Sequence, residues 1–120
     1  MSESRQDRLS ASFHALAHPT RREIVSRLRN GEARVTDLAK PFAMSLNSVS
    51  KHIRVLERAR LVRRRRAGRD HFLSLNPKPL DEAAEWIDAQ RSLWKARLRA
   101  LDALLQAEDE TTHVQKGRTR

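Results

Sequence analysis

Ser45-Leu46-Asn47-Ser48-Val49-Ser50-Lys51-His52-Ile53-Arg54-Val55-Leu56-Glu57-Arg58 is the stretch whose interpretation decides the fold. On a helix turning about 100° per residue, Val49, Ile53, Leu56 and Arg60 fall on one side, with Leu46 at its margin. Asn47, Lys51, Arg54 and Arg58 fall on the other, flanked by Ser48 and Ser50. A helix that buries aliphatics and presents Asn, Ser, Lys and Arg suits the DNA major groove, which admits one helix. Those side chains can donate to base-edge acceptors and to phosphates. An ordinary solvated surface helix has the same signature, so the flanking residues must decide.

Upstream, Thr36 is placed to cap a short third helix whose buried residues are Leu38 and Phe42, with Pro41 distorting its end. Ala43-Met44 connects, and Ser45 caps the opening stretch. A short helix, a tight turn and a second helix with a polar face form the helix-turn-helix pattern. Downstream the period changes. Val62–Arg66, Ala67-Gly68 and Arg69–Leu75 read as two short strands around a glycine turn, with Leu73 and Leu75 inward and Phe72 on the opposite face. A hairpin directly after a recognition helix is a wing, and Arg65, Arg66 and Arg69 lie nearest its tip. They extend the basic surface toward phosphates or an adjacent minor groove.

Further out, Leu9, Phe13 and Leu16 mark a first helix beginning at Asp7, and His18-Pro19 interrupts it. Thr20 and Glu23 have capping-box spacing ahead of Ile24, Val25 and Leu28, and Asn30-Gly31 ends that second helix. Glu32–Val35 is read as a short extended link. After Asn76-Pro77-Lys78-Pro79 comes the longest helical pattern, residues 80–108. Ala84, Ile87, Trp94, Leu98, Leu101 and Leu105 follow steps of three and four, with Arg91 in the missing step. Trp86, Leu93, Ala100 and Leu104 widen the stripe beyond what one small domain covers, so a second copy is expected to meet it. The fold class is mainly α with a small β-hairpin wing, one domain over residues 7–108. Residues 1–6 and the polar tail 109–120 are expected to be disordered.

The chain has 120 residues, 25 Lys and Arg against 15 Asp and Glu, a net charge of +10 and a sequence pI near 11.4. Such a chain attracts polyanions at long range. It has no cysteine, which removes disulfides, thiolate metal sites and thiol nucleophiles and fits a reducing cytoplasm. No signal segment or membrane span is legible. Glycine occurs only at 31, 68 and 117, none in a phosphate-cradling pattern, and Asp81, Glu82 and Asp88 lie on a helix and need no catalytic role. No enzymatic activity and no cofactor are assigned.

Phe13-His14-Ala15-Leu16-Ala17-His18-Pro19-Thr20-Arg21-Arg22-Glu23-Ile24 resembles the leading motif of ArsR-type winged helix-turn-helix repressors. Ser48–Leu56 followed by Leu61-Val62 is similar to their recognition-helix signature, and Gly68 falls at their wing glycine. The resemblance covers about residues 9–105. It implies a homodimer that meets through its first and last helices, with Phe13, Leu16, Ile87, Trp94, Leu98, Leu101 and Leu105 at the interface. It also implies double-stranded DNA as partner. The DNA-facing set is then Thr36, Ser45, Asn47, Ser48, Ser50, Lys51, His52 and Arg54, with Arg65, Arg66 and Arg69 of the wing. His52 is included although it borders the buried face, where a packed histidine is the plainer reading.

The departures from the family also count. Where its metal sensors place a Cys-x-Cys pair, this chain has Arg34 and Thr36, and residues 79–108 contain no histidine. Of the five histidines, at 14, 18, 52, 71 and 113, only His14 and His18 have helical ligand spacing, and His18 leaves the helix ahead of proline. The chain therefore resembles a subgroup that does not sense metal, and no metal site is assigned. Asn47 stands where many relatives carry proline or a small residue. Two alternatives stay open: a ligand-responsive repressor with Trp86 and Trp94 lining an aromatic pocket, and a winged-helix protein-interaction module. The second predicts a neutral or acidic recognition face. The residues do not name an effector.

Overall fold

The computed structural model describes residues 3–118, with side chains described as far as Thr111. Five helices and three strands follow in the order α1 (Arg5–Leu16), α2 (Pro19–Leu28), β1 (Ala33–Arg34), α3 (Val35–Ala39), α4 (Leu46–Arg58), β2 (Val62–Ala67), β3 (Asp70–Leu75) and α5 (Pro77–Arg118). The chain divides into two compact units, Met1–Ala84 and Glu85–Arg120. The first carries the helix-turn-helix and the sheet; the second is the remainder of α5.

Local chemistry accounts for most helix ends. α1 starts at Arg5, earlier than the apolar spacing placed it, because Ser4 and Asp7 close a capping box on each other's backbone N–H groups. Expected disorder over residues 1–6 therefore fails for Ser4 to Gln6, while Met1 and Ser2 lie outside the described residues. For α2 the Thr20 cap is likewise wrong. Pro19 occupies the first helical position and His18 is the N-cap, its Nδ1 accepting from the Thr20 N–H at 3.1 Å. Thr36 does not cap α3 either. It lies inside the helix, and the flanking Arg34 makes no side-chain cap bond. The expected disordered tail is also corrected, since α5 runs helical to Arg118; Thr119 and Arg120 lie outside the described residues.

Val49, Ile53 and Leu56 are fully buried against Ile24, Leu28, Leu38, Leu61 and Leu73, and this cluster is the core of the first unit. Arg60 does not join it. The helix closes with Arg60 N–H on the Glu57 carbonyl (2.9 Å) and Leu61 N–H on the Leu56 carbonyl (3.0 Å), the Schellman pattern. Arg60 sits at the left-handed position with φ +61° and an exposed side chain, while Leu61 takes the apolar place beside Leu56.

The hairpin is joined by a strand that its sequence does not announce. Glu32–Val35 contains β1, which pairs antiparallel with β3 (Ala33 opposite Leu73, Arg34 opposite Phe72), so the sheet order is β1-β3-β2. Gly68 turns the hairpin with φ +63°, a conformation side-chain-bearing residues rarely adopt. Leu73 is fully buried, Leu75 half-buried, and Phe72 lies on the other face, as the alternation predicts.

Within the second unit the apolar stripe is exposed: Leu93 68%, Trp94 62%, Leu98 47%, Leu101 52%, Leu104 65% and Leu105 50%. Among the described residues no helix is long and apolar enough to cross a membrane.

Candidate nucleic-acid interface

The candidate surface is built on α4. Ser45 caps it, its Oγ accepting from the Ser48 N–H at 3.1 Å while donating to Ser48 Oγ at 3.0 Å. A cap of this kind stabilises the helix by about 1 kcal/mol, so the hydroxyls of Ser45 and Ser48 already serve the fold. Asn47, Lys51 and Arg54 are exposed on the face opposite Val49, Ile53 and Leu56, and none of them makes an ion pair among the described residues. Ser50 is half-buried on the flank.

Three elements converge beside that face. A shallow concavity of about 310 Å³ is lined by Thr36 of α3, Leu46 and Ser50 of α4, and Arg64, Arg69 and His71 of the wing. The fold thus brings Thr36, Ser50 and Arg69 together from separate stretches of sequence. Leu46, half exposed at the first position of α4, and Arg34 also line it and were not among the expected site residues. An exposed leucine at the front of a helix otherwise faced with polar residues was the available signal.

The wing arginines divide into two kinds. Arg65 is bonded to Glu32 through Nε (3.1 Å) and Nη2 (2.6 Å), and its guanidinium lies 4.6 Å from the centre of the Phe72 ring. Arg34 approaches the same ring at 5.6 Å and pairs with Asp70 at 3.5 Å. The hydrogen bond from Arg65 holds the Glu32 carboxyl below its ordinary range. Arg64 likewise spans to Glu57 on α4, at 2.7 and 3.2 Å, and approaches His71 Nδ1 at 3.2 Å. Arg66 and Arg69 are exposed and make no ion pair among the described residues. Arg64 and Arg65 therefore tie the wing to the body, and Arg66 and Arg69 carry no such tie among the described residues.

His52 is turned toward α2. Its Nδ1 receives the Arg21 guanidinium at 3.1 Å, and its ring centre lies 4.3 Å from that of His18. Of the expected interface residues, Phe13 is 37% exposed on α1, whereas Leu16 packs partly against the core. A second concavity of the first unit, of about 590 Å³, lies among Arg8, Arg58, Arg60, Arg63 and Glu82. Among the described residues no three His, Cys, Asp or Glu side chains gather in an arrangement able to hold a metal ion.

A family model described as a helix-turn-helix domain matches residues 16–65. Over 101 residues the chain is 39% identical to the HTH-type transcriptional regulator Rv2034 of Mycobacterium tuberculosis, covering 84% of this chain and 92% of that protein. Over 75 residues it is 33% identical to the transcriptional repressor SdpR of Bacillus subtilis, covering 62% of this chain and 83% of that one. Among solved structures, an ArsR family transcriptional regulator, RHA00566, superposes with a TM-score of 0.72 at 38% identity, over 79% of this chain and 97% of that chain. An ArsR-like transcriptional regulator from Rhodococcus sp. RHA1 superposes with a TM-score of 0.70 at 25% identity, over 82% and 93%. With its capped, cationic recognition helix, its basic wing and these relatives, the chain belongs to the ArsR family of winged helix-turn-helix transcriptional regulators, proteins that bind DNA.

Proposed function

We propose that the protein is a homodimeric repressor acting in the cytoplasm on an inverted-repeat operator, with no catalytic role and no metal effector. Two copies of α4 enter successive major grooves about 34 Å apart on one face of the duplex. Asn47, Ser50, Lys51 and Arg54 meet base edges and phosphates, Ser45 and Ser48 approach the backbone from the helix cap, and Thr36 lies beside them. Arg66 and Arg69 carry the contact outward along the wing. The observation that carries the dimer is the exposed stripe Trp94, Leu98, Leu101 and Leu105, spaced by four, three and four residues. At about 25 cal/mol per Å² of apolar area, leaving such a seam in water forfeits several kcal/mol that a second copy recovers.

The test pairs sedimentation with footprinting on the DNA upstream of its own gene. The parent is expected to sediment as a dimer and to protect two half-sites one helical turn apart. Leu98→Asp should yield monomers that lose the paired protection. An unchanged dimer in that variant would move the interface off the seam, and protection of a single half-site by the parent would refute the inverted repeat.

A further inference from the structure

Arg21 is the hub of a contact that joins three helices of the first unit. Its Nε donates to the Ala15 carbonyl at 2.6 Å and its Nη2 to the His14 carbonyl at 3.1 Å, which also accepts from the Ala17 N–H, so it adds donors to the carbonyls at the end of α1. Its Nη1 lies 3.1 Å from Nδ1 of His52, in the middle of α4. A guanidinium can only donate, so His52 Nδ1 must be the acceptor and the ring's proton resides on Nε2. His18, the N-cap of α2, lies against the same ring, tilted by 40° with the ring centres 4.3 Å apart, and its own Nδ1 is committed to the Thr20 N–H. We propose that Arg21 and His52 are positioning residues, which hold the recognition helix at its DNA-reading angle only while the His52 ring is neutral, so that the protein releases DNA on mild acidification. This rests on α4 being the DNA-reading element.

The surroundings of His52 give the sign. From α2 and its cap the groups that face it are Arg21 and His18; from the end of α1 come two carbonyls already taken by Arg21, the His14 ring being exposed. On its own helix Lys51 and Arg54 are exposed, and among the described residues the charges that act on it are those of His18 and Arg21. Burial pushes its pKa below the ordinary histidine value, and the charges of His18 and Arg21 push it the same way. A proton on Nδ1 would abolish the acceptor and set a second cation against the guanidinium. The contact is therefore complete above about pH 6.5, the ordinary histidine value, and is lost as pH falls below it toward the depressed value of the folded state. Bulk charge predicts the reverse, because a protein that takes up protons becomes more cationic and binds a polyanion more strongly. The two effects differ in direction.

The experiment measures affinity for a duplex carrying the DNA upstream of the protein's own gene, at about pH 7.5 and about pH 5.5. If binding requires neutral His52, the parent weakens on acidification by up to about tenfold per protomer, the limit set by an ordinary histidine titrating in the released conformer. His52→Asn keeps an acceptor near the Nδ1 position but does not titrate, and its affinity should change by less than about twofold. Equal or tighter binding by the parent at the lower pH, or an equally steep loss in His52→Asn, overturns the proposal. A parent that binds no DNA even at pH 7.5 overturns the DNA-reading role of α4 instead. In that case an NMR titration of the His52 ring in the parent still judges the contact without DNA. A value depressed below the ordinary one that rises in Arg21→Gln supports it, and a value unmoved by Arg21→Gln overturns it.

Discussion

The division among the wing arginines predicts which of them a salt titration will register. Each Lys or Arg that neutralises a phosphate releases a counterion, so log K falls with log salt by about 0.9 per contact on B-form DNA. Lys51, Arg54, Arg66 and Arg69 are exposed and make no ion pair among the described residues, so a dimer offers two copies of each. If all of them reach phosphate, the slope is about −7. Arg66→Ala removes one contact per protomer and should flatten the slope by about 1.8. Arg65 behaves differently, because Glu32 already neutralises it at 2.6 Å and Phe72 holds its guanidinium at 4.6 Å. Arg65→Ala should leave the slope within about half a unit of the parent's while lowering affinity at every salt concentration, since the wing loses a tie to the body. Fluorescence anisotropy on one fixed duplex across a salt series gives both quantities. Equal flattening in Arg65→Ala and Arg66→Ala would refute the reasoning, for it would mean that Arg65 abandons Glu32 for the DNA.

Two further substitutions test how α4 is built. Arg60→Gly should raise stability by about 1 kcal/mol in chemical denaturation, because φ +61° strains any residue with a Cβ and the Arg60 side chain is exposed; unchanged or lower stability would mean that the arginine side chain contributes more than the strain costs. Ile53→Ala should lower stability by about 2–4 kcal/mol, the range for emptying a fully buried aliphatic site, with the thermal midpoint falling accordingly. A loss below about 1 kcal/mol would show that the core collapses into the vacancy.

How much of this was legible in advance follows from the range of the interactions. Spacing along one helix is enough to put Val49, Ile53 and Leu56 inside and Asn47, Lys51 and Arg54 outside, and the Ser45 cap acts over three residues. The Gly68 turn and the alternation of Leu73 and Phe72 are also short-range. Even local patterns failed where two competed. Thr20 and Glu23 have capping-box spacing, but Pro19 fixes the first helical position and makes His18 the cap. Arg60 continues the buried stripe by angle, yet the helix ends first because Leu61 packs better in that place.

The sequence by itself determined that α4 is an amphipathic, capped, cationic helix followed by a basic hairpin, because each of those properties depends on neighbours within a few residues. Tertiary structure decided which cations stay available and what holds the helix in place. Arg65 meets Glu32 from 33 residues away, Arg21 meets His52 across 31, and Ala33 and Arg34 become a strand only because β3 supplies a partner edge. Four arginines in a row are equivalent as letters. They become different when the folded chain brings a carboxylate and a phenyl ring to one of them and leaves its neighbour in solvent.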